Sequence, residues 1–195
     1  MEHNRKNQLL IVISSPSGAG KTSICRKLLE IDEKIKISIS DTTRLARQNE
    51  VDGKDYNFIS NDEFVNKIKK NKYIEYANVF GNYYGSAKSN IMELLNKGYD
   101  VLFDIDWQGA SQLKKSSFNN IVSIFIVPPT KNEIQKRLNS RATESGDNKE
   151  SIKKRMQLYE TEMSHRNEYD YIVINDKFSQ CVDEIVNIIR QEREK

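Results

Sequence analysis

The sequence predicts an α/β protein in which a parallel sheet carries helices on both faces. Leu, Ile and Val gather in short unbroken runs, the segments between the runs have helical spacing, and a Ser/Gly-rich turn follows the first run. Unbroken apolar runs suit strands buried on both faces, and strands alternating with helices assemble into a parallel sheet.

Leu9 to Ile13 reads as the first strand, and the turn Ser14 to Gly20 leads into a helix marked by Ile24, Leu28 and Ile31. Further buried strands are expected at Val101 to Ile105, Ile121 to Val127 and Tyr171 to Ile174. Between them lie a helix with Ile91, Leu94 and Leu95 ending at Gly98, one with Ile134 and Leu138, and one running from Ile152 through Met156 to Tyr159. The last helix uses Val182, Ile185, Val186 and Ile189. Ser60 with Glu63, and Thr130 with Glu133, form capping boxes that fix two helix starts. Pro128 and Pro129 stop the strand before the second of these.

Two stretches break the alternation. Residues 40–86 are polar, aromatic and turn-rich, and residues 136–155 are highly charged with few large apolar side chains. Both read as insertions over the mouth of the sheet, where function tends to sit. The expected division is therefore core 1–39, first insert 40–90, core 91–133, second insert 134–158 and core 159–195.

At 195 residues the chain can bury one substantial core. Hydrophobic residues at 37% and charged residues at 30% exclude a disordered tail. A net charge of +3 suits a polyphosphate ligand as well as a nucleic acid, which usually meets a more concentrated basic surface. Cys25 and Cys181 lack any CxxC spacing and read as reduced thiols, and neither histidine has a partner at metal-ligand spacing. No apolar run approaches the length of a membrane span. A cytoplasmic protein with neither a membrane nor a nucleic-acid partner is expected, monomeric or homo-oligomeric.

The strongest local signal is Ser14-Ser15-Pro16-Ser17-Gly18-Ala19-Gly20-Lys21-Thr22, placed between a strand and a helix. A loop of small residues lets backbone N–H groups wrap a polyphosphate, and the helix adds its positive dipole end. Lys21 would reach the β- and γ-phosphates and the Thr22 hydroxyl would sit on Mg²⁺. With the parallel sheet, this predicts a three-layer P-loop NTPase core. The motif departs from the usual G-x-x-x-x-G-K-[ST] because Ser15 occupies the first Gly position. If that position needs positive φ, serine costs on the order of 1 kcal/mol there.

Val101-Leu102-Phe103-Asp104-Ile105-Asp106 brings two carboxylates to the C-terminal end of a strand, the end where parallel sheets bind ligands. Asp104 is the expected acidic partner for Mg²⁺, and strand alternation puts Asp104 and Asp106 on one side. Arg44 and Arg47, three apart and near Tyr56, make a clamp for a second phosphate. Arg137 and Arg141, four apart on one helical face, and Arg155 bring guanidinium groups from the second insert.

The run Ser38-Ile39-Ser40-Asp41-Thr42-Thr43-Arg44-Leu45-Ala46-Arg47, followed by Gly53-Lys54-Asp55-Tyr56-Asn57-Phe58, resembles the nucleoside-monophosphate-binding insert of guanylate kinases. Tyr73-Ile74-Glu75-Tyr76-Ala77, Gly81-Asn82-Tyr83-Tyr84-Gly85-Ser86 and Asp104-Ile105-Asp106-Trp107-Gln108-Gly109 extend the resemblance, which runs from about Leu10 to Asp176. Taken singly, most of these residues suit packing or a solvated face; their joint order carries the resemblance.

The resemblance implies transfer of the γ-phosphoryl group of Mg·ATP to GMP, and by extension dGMP, in purine nucleotide metabolism. The first insert becomes the GMP-binding insert and the second a lid. Ser15, Pro16, Ser17, Gly18, Ala19, Gly20, Lys21, Thr22, Ser23 and Asn175 match positions that hold ATP, and Thr22 and Asp104 match the metal positions. Arg44, Arg47, Tyr56 and Tyr84 match positions on the GMP phosphate, while Ser40, Glu75, Ser86 and Asp106 match positions around guanine. Lys21, Arg44, Arg137, Arg141 and Arg155 match the catalytic cations. Scaffold domains resembling guanylate kinases bind phosphopeptides instead, and other monophosphate kinases share the core. The intact Gly20-Lys21-Thr22 with Asp104 and the lid arginines speaks for an enzyme, Ser15 being the one feature on the other side, and Glu75 with Ser40 speaks for guanine. No N-K-x-D motif points to a regulatory GTPase.

Overall fold

The computed structural model describes residues 8–140 and 149–195. Five strands, β1 (Leu10–Ser14), β2 (Ile35–Ile37), β7 (Asp100–Asp104), β8 (Ile121–Val127) and β9 (Tyr171–Ile174), form a wholly parallel sheet in the order β2-β7-β1-β8-β9. Leu10 and Val12 of β1 enter one core with Val101, Phe103 and Phe125, closed by α3 (Lys88–Asn96) through Ile91 and by α4 (Trp107–Lys114) through Leu113. Ile11 and Ile13 enter the other, with Ile124 and Ile126, closed by α1 (Lys21–Ile31) through Leu28 and by α7 (Phe178–Arg193) through Ile185. A strand buried on both faces divides its side chains between two cores, which is why these runs do not alternate with polar residues.

Besides the edge strand β2, which was not expected, three details depart from the sequence expectation. Ile31 is 48% exposed, and the buried residues of α1 are Ile24, Cys25 and Leu28. The first strand extends to Ser14, whose hydroxyl donates to the Ile105 carbonyl at 2.8 Å. Strand β7 ends at Asp104, so Asp106 does not share its alternation; it is the N-cap of α4 and accepts the Gly109 N–H at 3.0 Å.

The first insert builds its own sheet, with β3 (Asp41–Thr42), β4 (Asn57–Phe58), β5 (Tyr73–Val79) and β6 (Asn82–Ala87) in the order β4-β3-β6-β5. Helix α2 (Asn61–Lys69) starts at Ser60, which accepts the Glu63 N–H at 3.1 Å, and buries Phe64 between the rings of Tyr73 and Tyr83. Asp41 is buried but satisfied, by Tyr73 Oη at 2.7 Å and by Asn57 Nδ2 and Lys67 Nζ at 2.9 Å. Gln112 of α4 ties this sheet to the larger one by imitating a strand edge. Its Nε2 donates to the Tyr76 carbonyl at 2.7 Å, and its Oε1 accepts the Tyr76 N–H at 3.2 Å.

The second insert is docked more firmly than its charge suggested. Helices α5 (Lys131–Ser140) and α6 (Lys149–Ser164) send Ile134, Leu138, Ile152 and Tyr159 into the same core as α1. Four apolar residues at helical spacing suffice to anchor an otherwise charged pair. Thr130 accepts the Glu133 N–H at 3.2 Å, as the capping box required.

The C-terminal helix is fastened by Arg193, whose Nε donates to Asp100 and Nη1 to Asp32, both at 2.7 Å. Asp100 is buried and also accepts the Leu9 N–H at 2.7 Å, which fixes the entry into β1. Arg193→Ala strands that carboxylate, and we expect a loss of about 2 kcal/mol, read as a fall of roughly 4–8 °C in Tm. Among the described residues no helix is long and apolar enough to cross a membrane.

Candidate active site

The phosphate loop leaves β1 at Ser14 and enters α1 at Lys21. Gly18 and Gly20 both have positive φ, 90° and 97°, and a Cβ on Gly20 would lie 2.6 Å from Asn175 Nδ2, so only glycine satisfies both demands there. Ser15 carries no such strain. Among the described residues only Asn71 and Phe80 are non-glycine positions with positive φ, so serine at the first loop position has no backbone cost. The first-turn N–H groups of α1 open onto the cleft as an anion site.

Lys21 pairs with Asp104, and the Thr22 hydroxyl donates to the same carboxylate at 3.2 Å. Burial would depress the Lys21 ammonium, but the adjoining Asp104 carboxylate overrides it and lifts the pKa well above the usual lysine range. Helix α6 grips the loop from the other side. Arg155 Nη1 donates to Ser17 Oγ at 2.7 Å, and the Ser17 N–H donates to Glu162 Oε2 at 3.1 Å. Burial raises the Glu162 carboxyl, although the Ser17 N–H partly opposes the rise.

Across the cleft, Arg44 holds Glu50 in a two-pronged pair at 2.8 and 2.9 Å, and Glu50 also accepts the Arg47 N–H at 2.8 Å. The Arg44 guanidinium lies over the rings of Tyr56 and Phe58, 5.3 and 5.8 Å from their centroids, while Tyr84 meets Tyr56 edge-on at 5.9 Å. Burial, aided by the Asp104 charge, pushes the Tyr56 phenol up to about 12, so it remains a hydrogen-bond donor at any physiological pH. The pair shows that this guanidinium is set to receive two oxygens of one anion, the geometry a phosphate monoester also offers.

The inner end of the cleft is built around Glu75. A β-bulge in β5 falls between Tyr73 and Glu75, and Glu75 then stands directly opposite Ser86 of β6. Glu75 is 3% exposed and Ser86 fully buried, yet among the described residues Glu75 Oε1 and Ser86 Oγ have no hydrogen-bond partner of good geometry. Burial drives the Glu75 pKa up to about 7, with Asp106 adding to the rise and Ser86 opposing it. Gly109 makes room for this carboxylate, because a Cβ there would lie 2.3 Å from Glu75 Oε2.

The cleft brings together most of the residues expected from sequence. Ser15, Pro16, Ser17, Gly18, Gly20, Lys21, Thr22 and Ser23 line one end, Arg44, Arg47, Tyr56 and Tyr84 the opposite wall, and Ser40, Glu75, Asp104, Asp106 and Arg155 the remainder. Four do not reach it. Ala19 is fully buried beneath the loop and Ser86 lies behind Glu75. Asn175 is buried and donates to the Ala19 carbonyl at 2.7 Å, supporting the loop from below. Arg137 is occupied by Glu133 at 3.1 Å and the Asn175 carbonyl at 3.2 Å. Arg141 lies outside the described residues. Sequence reasoning gave no role to Glu50 or Glu162; the only signal for Glu162 was its place two helical turns after Arg155, on the same face.

Thr22 and Asp104 place two hard oxygen donors side by side at the phosphate loop. That set suits Mg²⁺, which keeps several waters and takes its remaining ligands from substrate phosphates. Among the described residues no cluster of three or more His, Cys, Asp or Glu is arranged to hold a metal, so a fully protein-caged ion is not what this set builds.

Residues 7–192 match the family model described as guanylate kinase. The chain is 51% identical over 187 residues to a guanylate kinase of Rickettsia prowazekii, covering 96% of this chain and 93% of the relative. It is 46% identical to one from Zymomonas mobilis, covering 96% and 85%. The crystal structure of guanylate kinase from Anaplasma phagocytophilum superposes with a TM-score of 0.80 at 35% identity, covering 97% of this chain and 88% of that one. A phosphate loop facing an arginine–tyrosine clamp, a buried carboxylate beyond it, and relatives matched almost end to end lead to one assignment: the chain belongs to the guanylate kinase family.

Proposed function

We propose that the chain transfers the γ-phosphoryl group of ATP to GMP, giving ADP and GDP, and that dGMP serves as a second acceptor. The observation that carries this is Glu75, buried on the wall of a cleft that starts at the phosphate loop, with a carboxylate oxygen that has no partner among the described residues and with the Ser40 hydroxyl in the same lining. Guanine offers N1–H and the N2 amine as donors and O6 as an acceptor. A carboxylate takes the two donors and a hydroxyl serves O6. Adenine reverses that pattern and would leave Glu75 badly paired, a large penalty in a buried site.

The acceptor is a phosphate oxygen, anionic at neutral pH, so no base has to remove a proton. The work of the site is to hold two anions in line and neutralise them. Lys21 and the α1 N-terminus receive the ATP phosphates. Arg44, Arg47, Tyr56 and Tyr84 hold the GMP phosphate, and Arg155, joined by Arg141 of the lid, meets charge on the moving group, while Arg137 braces the lid on Glu133 and the Asn175 carbonyl. Thr22 and Asp104 would hold Mg²⁺, which when bound screens the β- and γ-phosphates. Residues 40–90 act as the GMP-binding unit and 134–158 as the lid, closing to exclude water. The buried free thiols Cys25 and Cys181 support a reducing, cytoplasmic setting.

ADP release from Mg·ATP, measured with GMP, dGMP, AMP, dTMP, CMP and UMP in turn, tests the assignment. Turnover should be fastest with GMP, followed by dGMP, and near background with the others. Preference for AMP or a pyrimidine nucleotide would refute the guanine reading, and failure with every acceptor would refute the kinase.

A further inference from the structure

The hairpin between β5 and β6 turns through two residues, Phe80 and Gly81, because Val79 pairs directly with Asn82. Both central residues have positive φ, 52° and 83°, as a type I′ turn requires. Asn, Asp or Gly normally takes the first of these positions, since a side chain there crowds the following carbonyl. A large aromatic residue in this conformation is an outlier. The turn itself gives no reason for it. Gly81 N–H donates to Asn78 Oδ1 at 3.1 Å, and Phe80, 42% exposed, is not part of either core.

The reason lies across the cleft. The Arg155 guanidinium sits over the Phe80 ring, 5.3 Å from its centroid, while donating to the Ser17 hydroxyl at 2.7 Å. One side chain of the lid helix thus touches both the phosphate loop and the tip of the GMP-side hairpin. Phe80 and Arg155 also border a hollow of about 340 Å³ lined by Arg44, Arg47 and Lys154, where cations of both inserts converge. Strained residues that persist at such junctions are held there by what they contact.

We propose that Phe80 is a positioning residue: its ring holds the Arg155 guanidinium between the two inserts, so that this arginine is aligned on the transferring phosphoryl only when the GMP-side hairpin and the phosphate loop have come together. This rests on the kinase reading above and adds to it a physical link between occupancy of one nucleotide site and assembly of the other. The ring face attracts the cation without competing for its N–H donors, one of which serves Ser17.

Phe80→Asn tests this, because it places the preferred residue in the turn while removing the ring. Relief of the strained φ should raise Tm by roughly 2–4 °C, while kcat for GMP falls about tenfold, the range of a partly desolvated cation–π contact. Phe80→Trp, which keeps an aromatic face, should stay within about twofold of wild type. In an Arg155→Ala background Phe80→Asn should have no further effect on kcat, because the group it positions is gone. The proposal is overturned by wild-type kcat in Phe80→Asn, by a Tm below wild type in that variant, by Trp as impaired as Asn, or by fully additive losses in the double variant. A wild-type chain inert toward every monophosphate overturns the kinase reading and this proposal with it. An active wild type beside an unimpaired Phe80→Asn overturns this proposal alone.

Discussion

Lys21→Ala is expected to lower kcat by about a thousandfold or more at saturating Mg·ATP and GMP. Losing one neutral donor to developing charge already costs about 10²–10³ in rate, and here a full positive charge disappears from a partly desolvated site. Lys21 and Asp104 are a mutually screened pair, with side chains 21% and 15% exposed. Deleting the ammonium leaves Asp104, Asp106 and Glu162 facing the space a triphosphate must enter. The variant therefore loses an attraction and gains a repulsion. That second contribution can be isolated by reading ATP binding without Mg²⁺, where Asp104 is a charge beside the triphosphate: adding Asp104→Asn to Lys21→Ala should then restore part of the lost affinity, about tenfold, without restoring kcat under Mg·ATP. Calorimetry with metal-free ATP, steady-state ADP release and thermal melting check both statements. Turnover at the wild-type rate in a folded Lys21→Ala protein would remove the phosphate loop from the mechanism.

What the sequence revealed and what it hid follow from how far each feature depends on distant residues. Four of the five strands of the parallel sheet were legible because apolar residues run unbroken through them, as in Leu10 to Ile13, whereas β2, three residues long, leaves no such run. Strands β3 and β4, each two residues long, leave no periodicity to detect, and they exist only because β6 pairs with β3 and β3 with β4. The phosphate loop was legible because it is continuous. The carboxylate behind it was not, since Glu162 reaches Ser17 across 145 positions. Arg44 and Arg47 announced an anion clamp, but Glu50, which occupies Arg44 in the protein alone, sits in an irregular loop where spacing predicts no direction. Asp106 illustrates a local rule applied two residues too far. Alternation holds only while the strand lasts, and the chain has already turned to cap α4.

Glu75→Gln should make the ligand-free protein more stable and the enzyme worse, and both effects should follow pH. Burial holds the folded-state pKa near 7 against the ordinary 4.5. Between those values the folded protein keeps a proton that the unfolded chain releases, so stability declines as pH rises from 4.5 to 7 and the full penalty applies above 7. The shift corresponds to on the order of 3 kcal/mol. A neutral, isosteric amide carries no such penalty, so Tm of Glu75→Gln should exceed wild type by several degrees at pH 8, with the gap closing towards pH 5. Guanine binding runs the other way. The amide offers one acceptor where the carboxylate offers two, and its NH₂ opposes a donor of the base, so KM for GMP should rise about a hundredfold while KM for ATP stays within about twofold. Because the wild-type carboxyl must be ionised to accept both donors, its advantage in GMP affinity over the Gln variant should shrink from pH 8 to pH 6. Comparing the two proteins cancels titration of the GMP phosphate, common to both. Equal losses toward ATP and GMP, or a Tm difference that ignores pH, would mean that Glu75 is neither the base reader nor the buried charge described here; the two effects in opposite directions tie the strain in the empty protein to the selectivity of the loaded one.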